Sequence, residues 1–234
     1  MKLGIMQPYF FPYIGYWQLI SYVDSFIIYD DVTFIKGGWI NRNRYLYQGE
    51  AKYFNIIMDG ASSYKKINEI NLTQDGGRSK KKLLSTISMA YKKAPHFGSV
   101  YPLVESVVMF EENNMAKFIE NSIRQVCAYL GISTEIFVSS NIEKTPNLTK
   151  DDRVIDICKR LKADTYINAI GGRTLYTQDK FNRNGLELGF IKTNEIEYKQ
   201  FDNVFVPGLS ILDVMMFNSQ ETISAMLDEF TILK

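Results

Sequence analysis

Two groups of polar side chains near the amino terminus have the residue types and spacing for chemistry. The first is the acidic pair Asp30 and Asp31, which directly follows the β-rich run of residues 25–29. Adjacent residues on an extended chain point to opposite sides, so only one of the two carboxylates can face a given pocket. A carboxylate in a pocket can accept a proton as a general base, and we predict this role for one of the pair. The alternative is an acidic strand end that only caps a turn.

The second group combines a stacking surface, two amides and two guanidinium groups: Trp39, Asn41, Arg42, Asn43 and Arg44. On an extended chain, Trp39, Asn41 and Asn43 share one face, whereas Arg42 and Arg44 lie on the other. Arginine recognises phosphate and carboxylate groups with paired hydrogen bonds, and asparagine suits sugar hydroxyls or the edge of a base. With Lys36 as a further cation, this group predicts a binding site for a sugar nucleotide. Arginines that only form surface ion pairs are the alternative.

Three other positions are further candidates. His96 is the only histidine, so a catalytic triad with a histidine base could run only through it. It lies in the turn 94–98, where a purely structural role is the alternative. Gly171 and Gly172 follow a predicted strand and could offer backbone N–H groups to a phosphate. Their spacing matches neither the phosphate-loop pattern nor the dinucleotide-binding fingerprint.

A strand–loop–helix–strand unit must position most of these candidates. Residues 3–6 form an apolar run, and the prolines that follow it close it with a stiff turn. Helical spacing after residue 15 and a second strand at 25–29 complete the unit. In such a βαβ unit, ligands bind at the carboxyl end of the first strand. We therefore expect four residues of the connecting loop and helix start to shape a pocket there: Gln7, Tyr9, Tyr13 and Tyr16.

The remainder of the chain predicts a hairpin, a helical block and further α/β units. Strands at 44–47 and 53–57 form the hairpin, and the helices at 78–131 form a lobe or a lid over the sheet. The expected elements after the hairpin are, in order, helices 78–92, 99–109 and 114–130, strand 134–139, helix 149–162, strands 164–168 and 186–191, and helices 210–217 and 220–230. We expect a single α/β domain over residues 1–234, built on a Rossmann-like, mostly parallel sheet with an inserted helical lobe.

The composition excludes several classes of protein. The net charge is +1 and 23% of the residues are charged, so the chain lacks the concentrated basic surface that sequence-independent nucleic-acid binding needs. No apolar run approaches the roughly 18 residues of a membrane span and no signal peptide opens the sequence, which predicts a cytoplasmic protein. Cys127 and Cys158 lie in different predicted helices without CxxC spacing or clustered histidines. They predict buried thiols in a reducing compartment rather than a metal site.

With these motifs in view, the chain resembles the WbqC-like protein family over essentially its whole length. The specific matches are residues 6–16 (Met-Gln-Pro-Tyr-Phe-Phe-Pro-Tyr-Ile-Gly-Tyr), 29–32, Lys36 and 39–43, and the supporting matches are 166–168, 171–172 and 206–213. Members of the family occur with genes for O-antigen and other surface polysaccharides. The transfer of an aminoacyl group, glycine, to an amino sugar has been suggested for them. The resemblance therefore implies a transferase of surface-polysaccharide or lipopolysaccharide biosynthesis.

A fainter resemblance connects residues 11–19 with nucleotidylyltransferases and pantothenate-synthetase-like ligases. In those enzymes a strand–loop–helix places two histidines on the phosphates of ATP. Tyr13 and Tyr16 stand at the histidine positions here, and a neutral tyrosine donates a hydrogen bond without a positive charge. ATP chemistry would therefore need basic groups from elsewhere, such as Lys36, Arg42 or Arg44. The resemblance implies that a carboxylate reacts with ATP, with Mg²⁺ present, to give an acyl-adenylate, which would suit aminoacylation of a sugar amine.

Three functions are open at the level of the sequence. The favoured one is the transfer of an acyl or aminoacyl group from an acyl donor onto a nucleotide-linked amino sugar. The alternatives are an ATP-dependent adenylate-forming ligase or nucleotidyltransferase, and a non-catalytic sugar-nucleotide-binding protein. The expected partner is a small molecule, a sugar nucleotide, while ATP with Mg²⁺ or an acyl donor are the candidate cofactors. The oligomeric state stays open.

Overall fold

A six-stranded sheet forms the centre of the computed structural model, which describes residues 1–202 and 204–234. The strands are, in chain order, β1 (Lys2–Met6), β2 (Ser25–Ile28), β3 (Arg42–Tyr47), β4 (Glu50–Asn55), β5 (Met58–Asp59), β6 (Asn71–Leu72), β7 (Glu135–Val138), β8 (Thr165–Ala169), β9 (Glu187–Thr193) and β10 (Phe230–Leu233). The helices are α1 (Ile14–Tyr22), α2 (Arg78–Tyr91), α3 (Phe97–Met109), α4 (Met115–Leu130), α5 (Lys150–Arg160), α6 (Gln178–Arg183), α7 (Ile211–Phe217) and α8 (Gln220–Leu227). The central sheet has the order β10-β9-β8-β1-β2-β7, and β3–β4 and β5–β6 form two separate antiparallel pairs.

The strands β1, β2, β7, β8 and β9 run parallel, which confirms the predicted α/β class with a mostly parallel sheet. The strand β10 pairs with β9 in the antiparallel direction. The predicted helix over 220–230 is wrong at its end, because α8 stops at Leu227. The free edge of β9 offers unpaired backbone groups, and residues 230–233 satisfy them as a strand instead of continuing the helix.

Alternating side chains of the parallel strands build an apolar layer on each face of the sheet. Leu3 and Ile5 of β1 belong to the buried cluster that α5 and α6 complete, whereas Phe26 of β2 belongs to the cluster that includes α1. Gly4 allows α1 to approach the sheet closely, since a Cβ there would lie 3.5 Å from Leu19 Cδ1 and 3.1 Å from Phe26 Cδ2. The start of α1 is therefore fixed next to the end of β1.

The order of the strands reverses direction between β1 and β8. After β1 the chain crosses through α1 to β2 on one side, and after β7 it crosses through α5 to β8 on the other side of β1. The connections that leave the carboxyl ends of β1 and β8 therefore diverge. Ligands of open α/β sheets bind in the crevice that forms at such a point.

The predicted helical lobe is present between β6 and β7 as α2, α3 and α4. One continuous cluster of buried side chains joins it to the α1 face of the sheet, and Ile87, Val104 and Phe118 are members of this cluster. The helix α2 also contacts β3, while α3 contacts α7 and α4 contacts α8. The lobe thus supports the hairpin that carries residues 42–47.

Both cysteines are buried free thiols, as predicted. Burial raises the pKa of Cys127 and of Cys158 to about 12. Neither thiol is therefore a ready nucleophile near neutral pH. Within the described ranges, no helix has both the length and the apolar character needed to cross a membrane.

Candidate functional site

A cavity of about 540 Å³ opens at the carboxyl ends of β1, β8 and β9, beside the point where the strand order reverses. This volume is typical of small-molecule sites. Six of the residues that the sequence predicts for the site line it: Tyr9, Tyr13, Tyr16, Trp39, Asn43 and Arg44. The fold thus brings the loop after β1 together with the strand that begins at residue 42, and we name this space the first cavity.

The loop between β1 and α1 is held in a strained conformation beside the first cavity. Phe11 has a φ of 44°, a left-handed backbone that costs a non-glycine residue about 1–3 kcal/mol. Its carbonyl oxygen accepts hydrogen bonds from Asn43 Nδ2 at 2.9 Å and from Ser210 Oγ at 2.7 Å. Both donors are buried, so the loop is fixed from β3 on one side and from the start of α7 on the other.

The next residue of the loop is held in the same way. The carbonyl oxygen of Pro12 accepts from Trp17 Nε1 at 3.1 Å and from the backbone N–H of Ile211 at 2.9 Å. Asn43 also uses its Oδ1 to accept from the backbone N–H of Arg44 at 2.8 Å. Its amide is therefore committed to the protein, and Asn43 positions the loop instead of offering both polar atoms to a ligand.

The three tyrosines of the first cavity differ in what they can do. Tyr16 is buried and donates to the carbonyl oxygen of Gln7 at 3.0 Å, and burial raises its pKa well above the ordinary value. Tyr9 lies against it, with ring centroids 5.7 Å apart. Tyr13 is 38% exposed and can turn its hydroxyl to a ligand. Burial raises the pKa of Tyr9 and of Tyr13, so all three are neutral hydrogen-bonding groups.

Arg44 supplies an unpaired guanidinium group to the first cavity. Its Nη2 donates to the carbonyl oxygen of Gly208 at 2.6 Å, and its Cζ lies 5.7 Å from the ring centre of Trp39. Its Nε is buried without a hydrogen-bond partner. No carboxylate of residues 1–202 and 204–234 forms an ion pair with it. A buried donor on an unbalanced cation is suited to a bound anion.

Two further features make this cavity electropositive. The helix α1 begins in its wall, and Tyr13 at the N-cap position makes no side-chain cap, so the partial positive charge of the helix start is available to an anion. Lys192 of β9 also lines the cavity, and of the residues that the structure describes no Asp or Glu does. Gly15 allows the start of α1 to pack closely against β9, because a Cβ there would lie 2.6 Å from Thr193 Oγ1.

The acidic pair does not face this cavity, contrary to expectation. Asp30 is buried and accepts from the backbone N–H of Ser140 at 2.9 Å, from its hydroxyl at 2.6 Å and from Asn68 Nδ2 at 3.2 Å. These contacts use both carboxylate oxygens. They tie the end of β2 to the turn after β7, as the alternative of a structural acidic strand end would require.

Asp31 is engaged equally closely on the other side of the chain. Its carboxylate accepts from Ser139 Oγ at 2.7 Å and pairs with Lys144 at 3.1 Å and with Arg153. Burial by itself would raise the pKa of Asp31, but the hydrogen bonds from Ser139 and Lys144 and the charges of Arg153 and Lys144 outweigh it and lower the pKa. A carboxylate stabilised in its charged form is a weak base.

The remaining predicted residues lie beside the first cavity or away from it. Arg42 donates to the carbonyl oxygens of Gly37 and Gly38 and lies over the Tyr53 ring, with Cζ 4.9 Å from its centre. Six of the predicted binding residues are not among the described residues that line the first cavity: Gln7, Lys36, Asn41, Arg42, Gly171 and Gly172. Gln7 nevertheless contributes its carbonyl to Tyr16.

Asn41, His96 and the glycine pair have local structural contacts. Asn41 Nδ2 donates to the carbonyl oxygen of Ile56 at 3.2 Å, which joins the residue before β3 to the residue after β4. His96 connects α2 to α3, and its backbone N–H donates to Met216 at 3.1 Å. Gly171 and Gly172 lie in the 3₁₀ helix Ile170–Leu175 that follows β8. A Cβ at Gly172 would lie 2.5 Å from Asn168 Nδ2, so the glycine allows a close contact at the end of β8.

Sequence reasoning missed the residues that close the first cavity from the later part of the chain. Ile170, Lys192 and Thr193 line it without having been candidates, and Gly208 also lines it, although the sequence supported it only as part of the stretch 206–213 that matches the family. The first three follow or end parallel strands, and carboxyl ends of parallel strands share one edge of the sheet. That rule would have identified them once the strand order was known.

Comparison with known proteins identifies a protein family and a relative that this chain resembles. The model of the WbqC-like protein family matches residues 7–225, a range that includes all residues lining the first cavity except Met6. A protein of Mycobacterium tuberculosis (strain ATCC 25618 / H37Rv), described as uncharacterized protein Rv1507c, is 28% identical over 220 residues, which is 93% of each chain. No solved structure matches the chain.

Proposed function

The chain belongs to the WbqC-like protein family, and from this premise we propose that it transfers an acyl or aminoacyl group onto a nucleotide-linked amino sugar in surface-polysaccharide biosynthesis. In this reaction the lone pair of the sugar amine forms a C–N bond with the acyl carbon. The bond between that carbon and the leaving group of the donor breaks, and a base takes a proton from the nitrogen. The association of the family with surface-polysaccharide genes supports a transfer reaction, and the first cavity supports a nucleotide-linked amino sugar as the acceptor.

The observation that carries the proposal is the unpaired guanidinium of Arg44 in an aromatic cavity at the end of β1. Arg44 and the start of α1 are suited to the phosphates, because both offer uncompensated positive charge. Trp39 lies beside Arg44 and offers a stacking surface for a base or a sugar. Tyr13 and Lys192 supply further hydrogen bonds. Asp30 and Asp31 are assigned to the structure of the β2–β7 edge, since their oxygens are already engaged.

Ligand screening followed by product analysis tests the proposal. Purified protein is heated with UDP, UDP-glucosamine, acyl-CoA thioesters, free amino acids, and ATP with Mg²⁺. A ligand at about 100 times its dissociation constant should add about 2.7 kcal/mol to the free energy of unfolding, which a thermal-shift measurement resolves. Mass spectrometry then follows the amine of UDP-glucosamine with each acyl donor. We expect stabilisation by UDP compounds and an N-acylated product. Binding without product from any donor would favour a non-catalytic binding protein.

The adenylate-forming reaction is the second candidate, and one observation favours it. The uncapped start of α1 opens into the first cavity with Tyr13 beside it, which is the position where a related loop and helix would meet ATP. Pyrophosphate release from ATP and Mg²⁺ in the presence of an amino acid would identify this reaction. Transfer from a thioester donor without ATP would exclude it as the source of the acyl group.

A further inference from the structure

A second cavity of about 430 Å³ adjoins the first and shares two wall residues with it, Tyr13 and Gly208. Its other walls come from the segment after β9 and from the segment that leads into α7. Glu195, Glu197 and Tyr198 are the polar side chains with the most to offer a ligand there. Ligand groups bound in the two cavities would therefore meet at Tyr13 and Gly208.

The carboxylate of Asp213 in α7 lies behind Tyr198. Its side chain is fully buried and accepts hydrogen bonds from the hydroxyl of Tyr198 at 2.7 Å, the hydroxyl of Tyr91 at 2.8 Å and Gln200 Nε2 at 2.6 Å. All three donors are neutral. No lysine, arginine or histidine in the described parts of the chain pairs with this carboxylate. A buried carboxylate without a cation is costly, and such groups occur preferentially at functional sites.

The two cavities have opposite electrostatic character. The first has Arg44 and Lys192 in its wall. The second has Glu195 and Glu197 in its wall, with the carboxylate of Asp213 one hydrogen bond behind it, and none of its described wall residues is a lysine or an arginine. A nucleotide-linked amino sugar has the matching charges, since its phosphates are negative and its protonated amine is positive.

Given the proposed function, on which this inference rests, we propose that the second cavity binds the protonated amine of the amino sugar and that Tyr198 and Asp213 remove its proton. The ammonium group gives one proton to the phenolic oxygen of Tyr198, and the phenolic proton moves to Asp213 Oδ2. The amine becomes neutral with a free lone pair, Tyr198 remains a phenol and Asp213 becomes a carboxylic acid. A positive and a negative charge disappear together, which suits a low-dielectric environment.

The pair of Tyr198 and Tyr91 offers a matched test. Both donate one phenolic hydrogen bond to Asp213, but only Tyr198 lines the second cavity. Tyr91 is buried and also accepts from the backbone N–H of Leu46 at 2.9 Å. A purely structural network therefore predicts that Y91F is at least as harmful as Y198F. The proposed role predicts that only Y198F changes the affinity of the protein for a ligand with an amine.

The experiment measures the affinities of UDP, UDP-glucose and UDP-glucosamine by titration calorimetry for the wild type, Y198F and Y91F. UDP-glucose and UDP-glucosamine differ at one position, where a hydroxyl replaces the protonated amine. We expect the wild type to bind UDP-glucosamine about tenfold more tightly than UDP-glucose, as one hydrogen bond with a charged group provides. This preference should be lost in Y198F and kept in Y91F, with UDP affinity unchanged in both.

Three outcomes would overturn the inference, and they separate it from the proposed function. If the wild type binds UDP but does not prefer the amine, the second cavity is not an amine site, while the proposed function stands. If Y91F loses the preference as fully as Y198F, the network acts only through structure. If the protein binds neither UDP nor UDP-glucosamine, the proposed function and the inference both fail.

Discussion

Replacing Arg44 with methionine should weaken nucleotide binding while leaving the protein folded. Methionine keeps the apolar stem that packs beside Trp39, but it removes the guanidinium group. Phosphate loses at least one hydrogen bond from a charged donor, a contact of about 1.5–3 kcal/mol. The dissociation constant for UDP should therefore rise by about 10- to 150-fold.

The effect of R44M on stability follows from two opposing contacts. The bond from Nη2 to the Gly208 carbonyl is lost, which costs about 1–3 kcal/mol. The buried Nε without a partner is removed as well, and an unsatisfied buried donor has a penalty of similar size. The free energy of unfolding should therefore change by less than about 1 kcal/mol. Most substitutions of a residue with structural contacts, by contrast, lower the free energy of unfolding.

Arg42 provides the matched control on the same strand. Its guanidinium donates to the carbonyls of Gly37 and Gly38 and lies over Tyr53. It also lies 6.0 Å from the ring centre of Trp39, but it does not line the first cavity. R42M should lower the free energy of unfolding by about 1–2 kcal/mol and leave the affinity for UDP unchanged. Urea denaturation and titration calorimetry measure the two quantities. The reasoning is refuted if R44M costs more than R42M in stability while binding UDP as tightly as the wild type.

Three further predictions concern groups outside the cavities or behind their walls. N43A should lower the free energy of unfolding by about 1–3 kcal/mol, because the carbonyl of Phe11 loses a buried donor. The same variant should also bind UDP more weakly. A variant with normal stability and normal UDP affinity would contradict the positioning role of Asn43. The pKa of Asp31 is lower in the folded protein than its usual 3.8, so its ionised form stabilises the fold above that pH and the stabilisation is lost as the pH falls through the folded value. D31N should therefore show a shallower loss of stability in acid denaturation than the wild type, and parallel curves would contradict this. Cys127 and Cys158, whose pKa burial raises to about 12, should react with a disulfide reagent at pH 8 only after unfolding.

The location of the first cavity could be predicted from the sequence because it depends on the order of elements. An apolar strand, a proline-rich loop, a helix and a second strand define a βαβ unit, and the site of such a unit lies at the end of the first strand. Tyr9, Tyr13 and Tyr16 follow that strand directly, so the rule reaches them. Lys192 and Gly208 are far away in sequence. The strand order brings Lys192 to this wall, and the hydrogen bond that Arg44 Nη2 donates to the Gly208 carbonyl holds Gly208 there.

The roles of individual polar residues could not be predicted in the same way. Asp30 and Asp31 look alike in the sequence, and so do Arg42 and Arg44, yet in each case the surroundings decide what the group does. Arg44 has one carbonyl partner and a free Nε, whereas Arg42 has two carbonyl partners. Those surroundings come from loops whose backbone angles no residue pattern encodes, such as the left-handed Phe11.

The hydrogen bonds around Phe11 connect the two cavities to one support. Ser210 holds the Phe11 carbonyl and begins α7, and three residues later the same helix presents Asp213 to Tyr198. Asn43 holds the same carbonyl from β3, and the next residue is Arg44. Arg44, the cation of the first cavity, is therefore one residue away in sequence from one donor to the Phe11 carbonyl. Asp213, the carboxylate behind the second cavity, is three residues away from the other donor. Loosening the loop at Phe11 should disturb the contacts to the phosphates and to the amine of a bound nucleotide-linked amino sugar together. S210A should therefore reduce the affinity for UDP and the preference for UDP-glucosamine over UDP-glucose. If calorimetry on S210A shows a normal affinity for UDP and a normal preference for UDP-glucosamine, the loop at Phe11 does not control binding in either cavity.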